Sequence, residues 1–388
     1  MTQARFDIRR EPVIVSFDES PAFTEVYGFV GSQGKVFLEG QRILPVGRDS
    51  ETVIVFMHPA TTLNLMPLPV ALARSGWHVL CCGSRFAKND APLIMEKVAA
   101  DLAAYMRHAR EVLGYKNIVL CGWSGGGSLT AFYQSQAEHP DVVETPAGDA
   151  YDLTRIEMPA ADAVMFIAAH IGRAVTLSEW IDPSVMDELD PDRRDPELDL
   201  YGDLVRAPYD AQFVNRFRAA QLARVRRITD RVLEVLDRLK RRGGGEIERP
   251  FLVHRTLADP RFLDPALEPN DRRPRWCYLG NPETANTGPV GLARYSTLRA
   301  WLSQWSIDHS AADAERCMAH ITKPLLLMEN SADDAVPVSH PHRVFAAARM
   351  TDKIYHRIEG ATHYYRDQPE HEARAVGIID AWLADRNF

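Results

Sequence analysis

The chain has 388 residues, of which 46% are hydrophobic and 25% charged, and its formal net charge is −8 at pH 7. This composition is ordinary for a soluble globular protein and excludes a disordered chain, and the length predicts one large domain with an insertion or two domains. The acidic balance gives no reason to expect nucleic acid or an acidic membrane surface as a partner.

Residues 1–10 include charges where a secretory signal needs an unbroken apolar stretch. No later run approaches the ~20 apolar residues of a membrane span. We therefore expect a cytoplasmic protein without a membrane span. None of the five cysteines stands in a CxxC or Cys/His metal-binding spacing. We interpret them as small core residues, with oxidation left open at the first two: Cys81, Cys82, Cys121, Cys277 and Cys317.

Short apolar runs that alternate with helical periodicity are the main architectural signal. Residues 13–45, with Tyr27-Gly28-Phe29-Val30 and Lys35-Val36-Phe37-Leu38, predict hairpin-like antiparallel strands. Six further apolar runs predict strands, at 52–57, 78–82, 117–121, 162–167, 324–328 and 353–358. The unbroken apolar character of the first of these is typical of strands that are buried on both faces.

An amphipathic helix is predicted between the second and third of these runs. Apolar residues recur at three- and four-residue spacing from Ile94 to Val112, and Asp90 and Gly114 are the predicted cap and stop. A strand-helix-strand order requires parallel pairing through right-handed crossovers. The predicted fold class is therefore α/β, with a mostly parallel central sheet and helices on both faces.

The alternation stops after about Ile167 and resumes near Pro324. One long amphipathic helix is predicted from about Leu204 to Arg242, and its many arginines are interpreted as a solvated face, with an anion-binding patch as the alternative. Residues 255–290 are rich in proline and charge and predict irregular chain. We therefore predict a core domain of residues 1–170 and 321–388, interrupted by a mainly helical insertion of residues 171–320.

The stretch Gly122-Trp123-Ser124-Gly125-Gly126 matches the pattern G-x-S-x-G and lies between a predicted strand and a helix. Small residues on either side of the serine permit a strained turn that larger side chains would obstruct. A serine at the tip of such a turn is a candidate nucleophile, and it then needs a base and an acid from elsewhere in the chain.

With this motif the chain resembles the α/β-hydrolase superfamily, over residues 45–170 and 320–388. The resemblance implies an acid after a late strand and a histidine near the C-terminus. Asp333 follows such a strand, with Asn330 in place of the usual glycine, and His363 follows Gly360-Ala361-Thr362. The implied triad is Ser124, Asp333 and His363, in the chain order that this superfamily uses.

In this triad His363 takes the proton of the serine hydroxyl during attack, while Asp333 holds the imidazole in the required tautomer. Other residues compete for the two roles. Asp334 is the main alternative acid and Glu329 a more distant one. The alternative histidines, interpreted as surface or packing residues, are His340, His342 and His356.

A tetrahedral oxyanion needs two aligned hydrogen-bond donors. The resemblance implies the backbone N–H of Gly125 as one of them, and the loop after an early strand as the source of the other. That loop departs from the usual His-Gly-x and reads Met57-His58-Pro59-Ala60-Thr61-Thr62. Proline has no N–H, so Ala60 is the expected second donor and Thr61 the alternative. The His-Gly-Gly-Gly signature of one lipase and esterase branch is absent.

The resemblance further implies that the insertion forms a lid over the nucleophile. Aromatic and apolar residues at 287–305 line a substrate pocket or form the lid's own core, and both interpretations stay open. The candidate substrate-binding residues are His58, Thr61, Trp123, Tyr364, Tyr295 and Trp301. The sequence contains no GxGxxG fingerprint, Walker A loop or HExxH motif, so we expect no cofactor and no metal.

These features predict a serine hydrolase that cleaves a carboxylic ester, lactone or thioester of a bulky apolar or aromatic small molecule through an acyl-enzyme. The alternatives are carbon–carbon bond hydrolysis or a lyase reaction with the same triad, and a non-catalytic ligand-binding protein of the same fold. A haloalkane dehalogenase or an epoxide hydrolase would need an aspartate at position 124. Association into a homodimer through the helix at 204–242 is left open.

Overall fold

The computed structural model describes residues 5–19 and 34–388. The strands within these residues are β1 (Ile8–Asp18), β2 (Lys35–Pro45), β3 (Thr52–His58), β4 (His78–Gly83), β5 (Asn117–Ser124), β6 (Ala163–Ala169), β7 (Val185–Asp187), β8 (Asp190–Arg194), β9 (Pro250–Leu252), β10 (Tyr295–Thr297), β11 (Leu325–Asn330) and β12 (Lys353–Ile358).

Eight of these strands form one sheet, in the order β1-β2-β4-β3-β5-β6-β11-β12. The first two pairs, β1 with β2 and β2 with β4, are antiparallel, and the remaining neighbours are parallel. All six predicted later strands belong to this sheet, which confirms the predicted α/β class. β1 and β2 are the predicted antiparallel pair, whereas residues 27–30 lie outside the described part of the chain.

The α-helices of the described residues are α1 (Pro67–Ser75), α2 (Met95–Glu111), α3 (Gly126–Glu138), α4 (Arg173–Trp180), α5 (Ala211–Arg242), α6 (Pro260–Leu263), α7 (Pro282–Thr287), α8 (Leu298–Ala300), α9 (Ala314–Cys317), α10 (Ser339–Ala347) and α11 (Pro369–Ala384). α8 continues as a π-helical turn over Trp301–Trp305. Short 3₁₀ turns span Leu153–Arg155 and Met318–His320. Among the described helices, none combines the length and the apolar character that crossing a membrane requires.

Alternate residues of the central strands face two helical layers. In β3, Val53 and Val55 pack into the same apolar core as residues of α2 and α3, whereas Ile54 and Phe56 pack with residues of α1 and α11. Successive side chains of a strand point to opposite faces of the sheet. β3 is therefore buried on both faces, which explains its unbroken apolar run. The five cysteines are all free and buried, as predicted.

The two predicted helix starts are wrong. α2 begins at Met95 rather than after Asp90, because Asp90 lies in the preceding loop and its carboxylate pairs with Arg173. α5 begins at Ala211, where the Asp210 carboxylate accepts a hydrogen bond from the Phe213 N–H at 2.7 Å and caps the helix. Near the start of each helix the sequence has several polar residues that could cap it. Contacts with distant residues or the local geometry decide where the helix begins.

The insertion contributes no strand to the eight-stranded sheet and has apolar clusters of its own. The largest cluster joins the apolar stripe of α5 to Trp301, Leu302 and Trp305. Near the end of the predicted insertion the chain returns to the sheet, since Ala312, Ala314 and other residues of α9 pack with α3 in the main core.

The arginines of α5 are mostly paired at the surface, as in Arg241 with Asp237 at 2.7 Å. Arg224 departs from the predicted solvated face, because it is only 1% exposed. Its guanidinium pairs with Glu188 at 2.7 Å and donates to the carbonyl of Asp182 at 2.7 Å. A buried guanidinium requires such partners, and Arg224 therefore ties α5 to the β7–β8 hairpin region.

A buried carboxyl group lies where α2 meets the insertion. Glu96 is fully buried, and its Oε2 accepts a hydrogen bond from the Ser303 hydroxyl at 2.7 Å. Its Oε1 has no hydrogen-bond partner among the described residues. Burial raises the pKa of Glu96 to about 7.

We expect Glu96→Gln to stabilise the protein at pH 8 and to have little effect at pH 4. At pH 4 the folded and the unfolded chain both hold the proton on Glu96, whereas at pH 8 both have lost it and the folded chain carries a buried charge. A folded pKa near 7 against an ordinary 4.5 corresponds to on the order of 3 kcal/mol of lost stability. Urea unfolding at the two pH values measures the difference.

The matched control is Glu111→Gln, at the exposed end of the same helix. It should change the free energy of unfolding equally, and by little, at both pH values. An equal effect of Glu96→Gln at pH 4 and pH 8 would contradict the buried-charge explanation.

Candidate active site

The serine of the G-x-S-x-G motif ends β5 immediately before α3. Ser124 has a φ of 54°, in the left-handed region that side-chain-bearing residues rarely adopt. The surrounding backbone is packed too closely for larger residues. A Cβ on Gly122 would lie 2.7 Å from the Cα of Gly127, and a Cβ on Gly126 would lie 2.5 Å from the carbonyl oxygen of Met57. The glycines therefore allow β3, β5 and α3 to meet at the serine.

The acid and the histidine lie in the loops that follow β11 and β12. His363 Nδ1 and Asp333 Oδ2 are 2.8 Å apart, and both residues are buried. The other carboxylate oxygen of Asp333 accepts the backbone N–H groups of Ala335 and Val336 at 2.7 and 2.8 Å. The carboxylate is therefore held in place, and a proton on His363 Nδ1 leaves Nε2 free to accept another.

Asn330 joins these two loops. Its amide donates to the carbonyl of Thr362 at 2.9 Å, and its carbonyl oxygen accepts the Tyr365 hydroxyl at 3.0 Å. A backbone bond from Ala332 to Ala361, at 2.9 Å, runs beside them. The asparagine that replaces the usual glycine is therefore a positioning residue for the Asp333 and His363 loops, a role that the sequence did not reveal.

Trp123 connects the serine turn to the histidine loop. Its ring centre lies 4.6 Å from that of His363, and its indole N–H donates to the His363 carbonyl at 3.3 Å. The ring of Tyr364 lies 5.2 Å from Trp123 and is partly exposed. From the other side, the backbone N–H of His170 donates to the Ser124 carbonyl at 3.0 Å. The serine turn and the histidine loop are thus direct neighbours.

The loop after β3 lies against the serine turn. The Ala60 N–H donates to Nδ1 of His58 at 3.1 Å, so this predicted oxyanion donor is already engaged by a side chain of its own loop. His58 Nε2 lies 2.8 Å from the position that a Cβ on Gly125 would occupy. Burial, with smaller contributions from Arg173 and His363, lowers the pKa of His58 to about 3. Thr61 is half-buried in the same loop.

The alternative acids and histidines have other partners. Asp334 directly follows Asp333, the partner of His363. Burial and the charge of Asp333 raise the pKa of Asp334 to about 6. Glu329 accepts the Tyr355 hydroxyl and pairs with His342 at 3.3 Å. His340 is buried against Glu179 at 3.2 Å. Of the acids considered, Asp333 is therefore the one that contacts His363.

Two of the candidate pocket residues lie elsewhere. Trp301 is fully buried in the core of the insertion, where its indole N–H donates to the Thr229 hydroxyl at 2.9 Å. Tyr295 lies on β10, paired with Leu252 of β9, and is 55% exposed. The structure therefore groups His58, Thr61, Trp123 and Tyr364 near the serine turn and does not bring Trp301 or Tyr295 into this group.

Arg173, at the start of α4, is a buried residue near the site that the sequence did not indicate. Its guanidinium pairs with Asp90 and lies 4.4 Å from the ring centre of Trp305. Its Nε has no partner among the described residues. Only the position of Arg173 in the sequence could have indicated it. Arg173 follows β6, and polar groups just beyond the carboxyl end of a parallel strand face the usual binding crevice.

His170 follows β6 directly and is also buried. Its Nδ1 lies 3.1 Å from the Thr176 hydroxyl, and its ring centre lies 5.6 Å from that of His340. Burial above all, together with the neighbouring histidines His340 and His363, lowers the pKa of His170. Across residues 5–19 and 34–388, no group of three or more His, Cys, Asp or Glu side chains is arranged to hold a metal ion.

No protein-family model matches the sequence, and no curated protein sequence matches it. Solved structures do match. The α/β hydrolase GrgF from Penicillium sp. sh18 has a TM-score of 0.52 at 11% identity, over 97% of this chain and 100% of its own. The esterase domain of a Rhodothermus marinus protein has a TM-score of 0.47 at 15% identity, over 97% of this chain and 98% of its own.

A monoacylglycerol lipase from Paleococcus ferrophilus has a TM-score of 0.45 at 15% identity, over 90% of this chain and 98% of its own. At such low identities a structural likeness shows only a shared fold. The likeness to GrgF extends over both chains almost completely, and the sheet order and the strand-serine-helix turn agree with it. The chain therefore has the α/β-hydrolase fold.

Proposed function

We propose that the protein is a serine hydrolase that cleaves carboxylic esters, lactones or thioesters through an acyl-enzyme. The observation that carries the proposal is the hydrogen bond between His363 Nδ1 and Asp333, beside a serine held at a φ of 54°. A strained backbone at a polar residue is typical of functional sites. A histidine fixed by a buried carboxylate is the base that a serine nucleophile needs.

In the proposed first step, Ser124 Oγ attacks the substrate carbonyl carbon and its proton passes to Nε2 of His363. The electron pair of the carbonyl π bond moves to the oxygen. The oxyanion then collapses, the bond to the leaving group breaks, and the proton on Nε2 passes to the leaving oxygen or sulfur. Asp333 stabilises the imidazolium in between. Water, activated by His363, releases the acid from Ser124 in the second half of the reaction.

The Gly125 N–H is the proposed first oxyanion donor. Gly125 follows the serine and precedes the first residue of α3, so its N–H lies at the positive end of the helix dipole. The second donor was predicted in the loop after β3, at Ala60 with Thr61 as the alternative. The Ala60 N–H donates to Nδ1 of His58 at 3.1 Å, so it is not free for this role.

We further propose that residues 171–320 act as a lid. The segment begins directly after His170, which bonds to the serine turn, and it ends before β11, whose following loop holds Asp333. Such a cover excludes water and shapes the substrate pocket. Trp123 and Tyr364 next to His363 favour a bulky apolar or aromatic substrate.

We expect hydrolysis of a p-nitrophenyl ester series, from acetate to decanoate and benzoate, to depend on Ser124. Ser124→Ala should reduce kcat by about 10⁴-fold or more, because the covalent route is lost. Labelling with a fluorophosphonate, followed by mass spectrometry, identifies the nucleophile independently. Labelling without ester turnover would favour carbon–carbon cleavage or a lyase reaction over ester hydrolysis, and the absence of both would favour a binding protein.

We expect Asp333→Asn to reduce kcat by roughly 10³- to 10⁴-fold, since an asparagine no longer holds His363 in the required tautomer. The matched variant is Asp334→Asn, which alters the neighbouring carboxyl group. It should retain kcat within about a factor of ten, because Asp334 is not the partner of His363. Steady-state kinetics with one ester compare the two variants, and the reverse order of effects would assign the acid to Asp334.

A further inference from the structure

We propose that the second oxyanion donor is the side chain of His58, acting through its Nε2–H. This assignment rests on the proposed acyl-transfer function and adds a catalytic residue to it. It also gives the Ala60 N–H a different role, in which Ala60 positions the donor instead of being the donor.

The hydrogen bond from Ala60 determines the tautomer of His58. A backbone N–H only donates, so Nδ1, which receives the bond at 3.1 Å, must carry a lone pair. A neutral imidazole has one N–H, and its place is set by the bond that the other nitrogen makes. The proton of His58 is therefore on Nε2, and this nitrogen is a donor.

The surroundings keep His58 neutral. Burial is the main cause that lowers its pKa to about 3, and the positive charge of Arg173 and the neighbouring His363 act in the same direction. His170, on the loop after β6, is buried nearby with a lowered pKa of its own. His58 therefore keeps a single proton throughout the pH range in which an esterase with a histidine base works.

Nε2 of His58 lies beside the first donor. It is 2.8 Å from the point at which a Cβ on Gly125 would stand, and the residue is partly exposed. The one hydrogen bond of the His58 ring within the described chain is the bond to Nδ1. A side-chain donor beside Gly125, on a partly exposed residue and without a partner among the described residues, is a group that can bind a developing oxyanion.

The arrangement also explains the departure from His-Gly-x in this loop. Pro59 removes one backbone N–H, and His58 engages the next one, at Ala60. The His58 side chain supplies a donor in place of these backbone groups, and the rigid proline-containing turn fixes its orientation. When Ser124 attacks, the carbonyl π electrons move to oxygen, and the Gly125 N–H and the His58 Nε2–H bind the resulting charge without transferring a proton.

The test compares His58→Ala and His58→Gln with wild type on the best p-nitrophenyl ester. We expect His58→Ala to lower kcat by about 10²- to 10³-fold with KM nearly unchanged, as for the loss of one oxyanion donor. His58→Gln, whose amide can donate from a similar position, should recover part of this loss. The control is His342→Ala on the exposed face of α10, which should stay within about twofold of wild type.

A second readout separates an oxyanion donor from a residue that only supports the loop. An aryl trifluoromethyl ketone adds to Ser124 and forms a hemiketal whose alkoxide occupies the oxyanion site. Its affinity should fall in His58→Ala by about the same factor as kcat/KM, because both report transition-state binding. Calorimetric melting of each variant establishes that it is folded, and His58→Gln supplies the same readouts if His58→Ala does not fold.

Three results would overturn the assignment. An unchanged kcat in His58→Ala would return the second donor to the loop backbone. A rise in KM alone would make His58 a substrate-binding residue. A lower kcat with unchanged affinity for the ketone would place its effect outside the oxyanion. In each case Ser124-dependent turnover by wild type keeps the proposed hydrolase function intact, whereas a wild type without turnover or labelling contradicts that function itself.

Discussion

The close approach of three backbone segments at the serine turn is the constraint on which the site depends. α3 starts directly against the end of β3, because Gly126 has no side chain to keep it away from the Met57 carbonyl. Beside this contact Ser124 adopts the left-handed region, and His58 of the loop after β3 lies next to Gly125. Such strain persists only where the surrounding structure holds it, and here two buried parallel strands do so. The positions of Ser124, the proposed nucleophile, and of the proposed oxyanion donors therefore depend on main-chain packing.

The acid and the base depend on a second set of contacts, at the far side of the nucleophile strand. Asp333 uses both carboxylate oxygens, one for His363 and one for two backbone N–H groups. Asn330 links the two loops, and Trp123 then links the histidine loop to the serine turn. Both oxygens of Asp333 and both side-chain polar atoms of Asn330 have partners, and such a connected network makes the geometry rigid and costly to disturb.

Residues 171–320 contact the sheet and its helices through buried polar pairs as well as apolar residues. The Ser303 hydroxyl donates to Glu96, and Arg173 pairs with Asp90. His340 contacts Glu179, which also pairs with Arg261 at 2.5 Å. Three apolar clusters lie mostly within residues 171–320, whereas residues at both ends of this segment, such as Val175 and Ala314, pack into the main core with the sheet. Buried charge pairs contribute little net stability but are strongly destabilising when one partner is lost. The placement of the proposed lid relative to the serine therefore depends on these geometry-sensitive pairs together with the apolar packing at both ends of the segment.

The sequence by itself determined the strands, their parallel order and the serine turn, because these follow from local periodicity and from glycines whose spacing permits close packing. The resemblance placed Ser124, Asp333 and His363 in the expected chain order, and the turn in which Asn330 takes the place of the usual glycine put Asp333 rather than Asp334 at the position of the acid. Tertiary structure alone decided the rest. Asp90 pairs with Arg173 instead of capping α2, and Arg224 is buried instead of solvated. Trp301 lies in the apolar core of the insertion, and the Ala60 N–H donates to His58. Each of these outcomes depends on which partner is available across the fold, and no local pattern of residues contains that information.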